Sequence, residues 1–326
     1  MEPIVAICIP TFNQSAFLTK AIQSCLDQVY TSLEIWISDD CSTDDTEKVM
    51  QPFLSNSNIH YFRQQHNLGI SANNNWLLSQ PKTEFILRLD SDDALHPDYI
   101  TTLLPVLQQN STLGYAHAAV HEINPIGDIQ RLRALNRPTG IETAAIALQK
   151  SIYGYRVAAN ICLFRSAVLK ELQYYKHGLN FGEDWELSIR IAAAGFGNYY
   201  NGTALSYYRV WNDVHNIRAK RKLIEIQGIS EIFTQTLYPI FETHHLNIEV
   251  LKRAQQKAAL NHSIALAEKS FSLEEKHHLI QALLRLSNTW QVQLKIKFLQ
   301  LGFASFFIAS KKMRITIKDQ LKKLLR

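Results

Sequence analysis

Three short acidic clusters hold the groups best suited to chemistry: Ser38-Asp39-Asp40-Cys41-Ser42-Thr43-Asp44, Asp90-Ser91-Asp92-Asp93 and Glu183-Asp184-Trp185. Each has an ordinary structural use. Ser42 with Asp45, or Asp44 with Glu47, makes a helix capping box. Asp90–Asp93 makes a turn ahead of Pro97, and Glu183-Asp184 makes an acidic first turn that a helix dipole stabilises by about 0.5 kcal/mol. Three carboxylates at Asp90, Asp92 and Asp93 nevertheless repel one another and call for a counter-charge. A divalent cation, Mg²⁺ or Mn²⁺, supplies it with one or two carboxylates and substrate phosphates as ligands. Asp90 and Asp92 therefore read as a platform for a metal and a diphosphate.

The elements that position these clusters follow from periodicity. Ile4–Ile9, Glu34–Ser38, Ile59–Arg63 and Phe85–Leu89 are short β-rich runs, separated by helical stretches over Ser15–Gln28, Asp44–Met50 and Ser71–Ser79. Such alternation predicts a mostly parallel α/β sheet with right-handed crossovers. In that architecture ligands lie beyond the carboxyl ends of the strands, where two of the acidic clusters fall. After Asp93 the strict alternation ends. A helix from Pro97, strands over Gly114–Val120, Asn160–Arg165 and Tyr199–Arg209, and a helix over Trp185–Ala194 are expected, then helices only from about Ile217. The expected division is a catalytic region at 1–216 and a helical C-terminal region with a basic aromatic tail at 217–326.

Five motifs in order carry a resemblance: Ile7-Cys8-Ile9-Pro10-Thr11-Phe12-Asn13, the Ser38–Asp44 turn, Asn67-Leu68-Gly69-Ile70-Ser71, Asp90-Ser91-Asp92-Asp93 and Glu183-Asp184-Trp185. Over about residues 3–210 the chain resembles inverting family 2 glycosyltransferases of GT-A fold, Rossmann-like with a mostly parallel nucleotide-binding sheet. The resemblance implies that Pro10, Phe12, Asp39 and Asp40 hold the nucleobase and ribose. It implies ribose contact at Asp90, metal contact at Asp92 and Asp93, and the catalytic base at Asp184, with Glu183 and Trp185 on the acceptor side. His215 stands near the slot from which the family reaches the diphosphate and metal. Two departures are visible: Cys41 replaces a common Gly, and Asn74 replaces a common Arg. The chemistry agrees with these roles, since displacing a nucleoside diphosphate from an anomeric carbon needs its charge neutralised and a base on the opposite face of the sugar. Tyr153, Tyr155, Arg156 and Asn160 precede a strand and are expected either to line an acceptor cleft or, for the aromatics, to pack in the core. The implied reaction moves a sugar from a UDP- or dTDP-sugar to a glycan or lipid-linked glycan during cell-surface polysaccharide synthesis. A nucleotidyltransferase shares the layout but needs a Gly-rich basic phosphate loop, which Pro10-Thr11-Phe12-Asn13 is not; a silent nucleotide-sugar-binding module is the non-enzymatic alternative.

Composition bounds the remainder. The chain has 326 residues, 46% hydrophobic and 19% charged, which excludes disorder and a small disulfide scaffold. Cys8, Cys25, Cys41 and Cys162 show no zinc spacing and suit a reducing, cytoplasmic setting, and Met1–Ile9 lacks a secretory pattern. The net charge of +5 is uneven: residues 291–326 carry +8 and the rest −3. No nucleic-acid motif accompanies this basicity. Trp290, Leu294, Phe298, Phe303, Phe306 and Phe307 lie among the cations, and the uncharged run Phe298–Ala309 is too short to span a bilayer. The tail is therefore expected either to lie on an anionic membrane at its inner face, or to pack as a buried helix or homodimer seam.

Overall fold

Strand β1 is apolar throughout because it is buried on both faces, the mark of a central parallel strand. In the computed structural model, which describes residues 3–211 and 221–303, Val5 through Ile9 are fully buried. Val5–Thr11 (β1), Leu33–Asp39 (β2), Ile59–Arg63 (β3) and Phe85–Arg88 (β4) pair in parallel, in spatial order β3-β2-β1-β4. The crossovers are Ser15–Leu26 (α1), Thr46–Met50 (α2) and Ile70–Ser79 (α3). Alternation sorts the strand side chains. Ile35 and Ile37 join Leu18, Ile22 and Met50 in one core layer, and Trp36 joins Cys8, Leu77 and Ile86 in the other.

Beyond β4 the sheet becomes mixed. Cys162–Arg165 (β9) runs antiparallel to β4 and to Leu113–Ile123 (β6), and Gly197–Arg209 (β10) returns parallel to β6. Ala94–Leu95 (β5), Ile129–Arg133 (β7) and Gly140–Glu142 (β8) add short edge pairings. These three were not anticipated, because two or three residues carry no periodicity and all five residues of β7 are exposed. Tyr99–Gln109 (α4), Ala144–Ser151 (α5), Ser166–Glu171 (α6) and Glu183–Ala193 (α7) complete this part.

Parallel pairing aligns the strand ends that matter. Thr11 is level with Asp39, Asp39 with Arg63, and Cys8 with Arg88. The segments leaving β1, β2 and β4 therefore emerge along one carboxyl edge.

From residue 221 on, every described regular element is helical: Lys222–Ile232 (α8), a π-helical turn at Phe233–Leu237, Tyr238–Thr243 (α9), Glu249–His262 (α10), a 3₁₀ turn at Ser263–Ala267, Leu273–Leu286 (α11) and Trp290–Gln300 (α12). A full capping box between Ser272 and Glu275 starts α11. The described residues form two compact units. One holds β1 through β10 with α1 to α7, and the other holds 180–182 with the C-terminal helices. Among the described residues no helix is long and apolar enough to cross a membrane.

Candidate active site

The first two strand exits are stitched together by short polar bonds. Asp40 N–H donates to the Thr11 carbonyl, Asn13 N–H to Ser42 Oγ at 2.9 Å, and Thr43 N–H to Asn13 Oδ1 at 2.8 Å. Both Asn13 (φ +52°) and Cys41 (φ +64°) are left-handed, a conformation that costs a side-chain-bearing residue more than Gly. That accounts for the Gly common at the Cys41 position: the turn needs a positive φ there. Asp44 serves as a structural acceptor, its Oδ2 taking the Ser15 N–H at the start of α1 at 2.9 Å.

Asp39 and Asp40 commit their carboxylates to the protein. Asp39 is fully buried and accepts from Ser42 N–H at 2.8 Å and Tyr61 O–H at 2.9 Å, with Arg63 Nε 3.6 Å away. Asp40, also buried, accepts from the backbone N–H of Leu68 (2.7 Å) and Gly69 (3.0 Å). They hold the turn against β3 and against the loop entering α3. Between these loops Pro10 is half-buried and Phe12 exposed, an apolar pair at the mouth of the β1 exit.

Arg88 organises the third exit. The pleat of β4 sends Phe85 and Leu87 into one core layer, while Ile86 and Arg88 face the other. The Arg88 side chain is only 6% exposed. Its guanidinium donates to Asp90 Oδ1 at 2.7 Å, Asn74 Oδ1 at 3.2 Å, the Asn160 carbonyl at 3.4 Å and Asp184 Oδ1 at 3.4 Å. Arg88 thus brings a guanidinium from β4 to the Asn74 side chain.

Asp184, in the first turn of α7, also accepts the Tyr175 O–H at 2.8 Å. Asn75 fixes Tyr175 by bonding both its backbone N–H and its carbonyl. Burial pushes the Asp184 carboxyl up to about 6; Arg88 and the Tyr175 hydroxyl oppose this, while Glu183 and Asp90 add to it. A carboxylate so poised is a competent general base near neutral pH.

The Asp90–Asp93 turn is acidic beyond what its neighbours neutralise. Asp92 accepts Trp211 Nε1–H at 2.9 Å, and Asp93 Oδ1 accepts the Arg209 backbone N–H at 2.8 Å. The other oxygen of Asp93 is buried without a hydrogen-bond partner. Burial raises the affinity of Asp92 and Asp93 for protons, and mutual repulsion with Asp90 adds to it. An orphaned buried oxygen and surplus negative charge fit a divalent cation. Among the described residues no three His, Cys, Asp or Glu side chains form a ready-made cage.

Other expected residues fall variously. Trp185 turns into the core and donates Nε1–H to the Ser151 carbonyl at 2.8 Å, so its ring anchors α7 and does not line a cleft. Asn160 reaches the centre through its carbonyl, and Arg156 lies 3.6 Å from Glu142. His215 lies outside the described residues. Sequence reasoning missed Arg88, Tyr175 and Arg209 and gave Trp211 no role. For Arg88 a signal existed, since a lone charge interrupts the apolar run Phe85-Ile86-Leu87-Arg88-Leu89.

The fold and this edge define an α/β domain of GT-A type. The family model described as Glycosyl transferase family 2 matches residues 6–172, just over half the chain, and the chain belongs to that family. It is 39% identical over 117 residues, 35% of this chain and 37% of the relative, to the GalNAc(5)-diNAcBac-PP-undecaprenol beta-1,3-glucosyltransferase of Campylobacter jejuni. The chain spans about a third of the length of the first curated relatives it matches. In three dimensions it is similar to S. aureus TarS 1–349 in complex with UDP-GlcNAc, with TM-score 0.67, 18% identity, and coverage of 92% of this chain and 88% of that one. The mannosyltransferase PcManGT of Pyrobaculum calidifontis, in complex with GDP-Man and Mn²⁺, aligns with TM-score 0.55 and 15% identity over 94% of this chain and 87% of that one.

Proposed function

We propose that this chain is an inverting, metal-assisted glycosyltransferase that moves one sugar from a UDP- or dTDP-sugar to a hydroxyl of a glycan or lipid-linked glycan in surface polysaccharide synthesis. The observation that carries the reading is Arg88, one buried cation joining the donor-side carboxylate Asp90 to Asp184, a carboxyl poised near 6. UDP-GlcNAc in TarS, GDP-Man with Mn²⁺ in PcManGT and the undecaprenol-linked acceptor named for the Campylobacter enzyme support the substrate classes.

In this mechanism Pro10 and Phe12 flank the nucleobase, within loops that Asp39 and Asp40 hold in shape. Asp90 takes the ribose. Asp92, with Asp93 beside it and His215 as a further ligand, would hold Mn²⁺ or Mg²⁺. Such a cation offsets the charge developing on the departing diphosphate. Asp184 accepts the proton of the attacking hydroxyl as that oxygen bonds to the anomeric carbon from the side opposite the diphosphate. Glu183 lies on the acceptor side. The catalytic region is 1–216, the C-terminal region 217–326, and the setting the cytoplasm.

The test is release of nucleoside diphosphate from a panel of UDP-, dTDP- and GDP-sugars, with Mn²⁺, Mg²⁺ or excess EDTA. Turnover of a UDP- or dTDP-sugar that EDTA abolishes is expected. Failure of every donor with metal present overturns the transferase reading, and full turnover in EDTA overturns the metal's part in it.

A further inference from the structure

Helix α12 is apolar on two opposite faces. Val292, Ile296 and Leu299 are buried against Ser263–Ala267 and α10. On the other side Trp290 is 68% exposed and Leu294 45%, and just beyond the helix Leu301, at its C-cap and seven residues from Leu294, is 72% and Phe303 52% exposed. Phe298 continues the same stripe and packs edge-on against Phe303 at 5.7 Å. A surface helix needs one apolar stripe to pack, so a second one with a Trp at its end marks a binding surface.

Charge selects the occupant. Lys297 is exposed and one helical turn from both Leu294 and Leu301. Residues 304–326, outside the described structure, add seven Lys or Arg and a single acid, Asp319. A second copy of this face would offer Lys297 again and no acidic side chain of α12 to meet it. An anionic surface meets both features, since it attracts the cations and takes up aromatic and aliphatic side chains at headgroup depth. We propose that the Trp290–Leu294–Leu301 face of α12 docks on an anionic phospholipid membrane, with the basic residues that follow it as the electrostatic half of the anchor. The inference does not depend on which sugar is transferred.

The test is co-sedimentation of the full chain with vesicles of phosphatidylcholine alone or mixed equally with phosphatidylglycerol, at 0.05 and 0.5 M salt. Binding to the mixed vesicles at low salt, weakened at high salt, is expected. Trp290→Ser with Leu294→Ser, at exposed positions, should keep the melting temperature and donor hydrolysis and reduce vesicle binding at least 10-fold. Lys311→Gln, Lys312→Gln and Arg314→Gln together should reduce it about 100-fold, from roughly fivefold per charge near the surface. Equal binding to uncharged vesicles, no binding, or unchanged binding by the Trp290/Leu294 variant would overturn the proposal. So would a wild-type dimer in light scattering that this variant makes monomeric, or a fall in its melting temperature, which would give the stripe to a second copy or to the chain's own residues 304–326.

Discussion

Replacing Arg88 by Met should move the pH dependence of catalysis as well as lower the rate. Asp184 must be ionised to accept a proton, so turnover rises with pH through its titration, near 6 in the native protein. Arg88 favours the ionised form, and deleting it raises that value. A full charge pair at the observed 3.4 Å interacts by about 5 kcal/mol at an effective dielectric of 20. The guanidinium charge is spread and shared with Asp90, so about half of that is a fair expectation, which moves the acid limb from near 6 to near 8. The other titratable groups around Asp184, namely Glu183, Asp90, Tyr175, Tyr155 and Cys162, remain in place. At pH 6.5 the variant should then turn over donor about 20-fold more slowly at saturation, recovering towards pH 9. The assay is kcat for nucleotide-sugar hydrolysis between pH 5.5 and 9.5. Arg88→Lys should keep most of the wild-type profile with a raised KM for donor, since an ammonium cannot reproduce the fork to Asp90 and Asp184. A loss by the same factor at every pH would refute the electrostatic reasoning and leave Arg88 a merely structural residue.

Asp184→Asn should cut transfer by about 10²–10⁴-fold with nucleotide affinity, measured by calorimetry, within about twofold of wild type. The sign of its stability effect is also fixed: the folded carboxyl titrates near 6 against 3.8 for the free group, so ionising it opposes folding above that range. The Asn variant should therefore gain in melting temperature relative to wild type between pH 4 and pH 8. Asp92→Asn should abolish metal-dependent turnover while leaving circular dichroism and melting unchanged to within a few degrees; metal titration of the variant checks it. Asp40→Ala leaves the half-buried Leu68 and Gly69 N–H groups without their acceptor, and should cost about 1–3 kcal/mol in urea unfolding and raise the donor KM.

What the sequence made legible was the part written in local pattern. Ile59–Arg63 was placed to the residue, and β1, β2, β4 and the first crossover helices within two or three. Strongly apolar parallel strands and Gly- or Pro-marked turns do not depend on distant partners. Pairings that do depend on them were invisible: β5 and β8 are strands because they pair with β10, and β7 because it pairs with β6, where Glu122 also meets Arg131 and Arg133. The same division runs through the site. Acidic clusters at strand ends could be read directly, whereas the internal bonding of Asp39 and Asp40 and the inward turn of Trp185 are settled by residues 20 to 35 positions away.

Arg88 shows why a centre of this kind is set by sheet geometry more than by motif. Residues two apart on a strand share a face, so Ile86 and Arg88 lie together in the layer that also receives α3 and α7. Asp90 follows two residues further on, and the Arg88 side chain meets it directly. On that face α3 contributes Asn74 and α7 contributes Asp184, each within reach of the same guanidinium. The cation could have come from either helix without changing the acidic motifs at all. Placing it on β4 puts it on a fully buried strand, where its guanidinium reaches both carboxylates before any substrate arrives. A buried arginine unpaired would be untenable, and without it burial and the Asp90 charge would press Asp184 further towards its protonated form. Each of the three groups is thus tolerated only because the other two are present, so replacing Asp90 should disturb Asp184 as well as the donor.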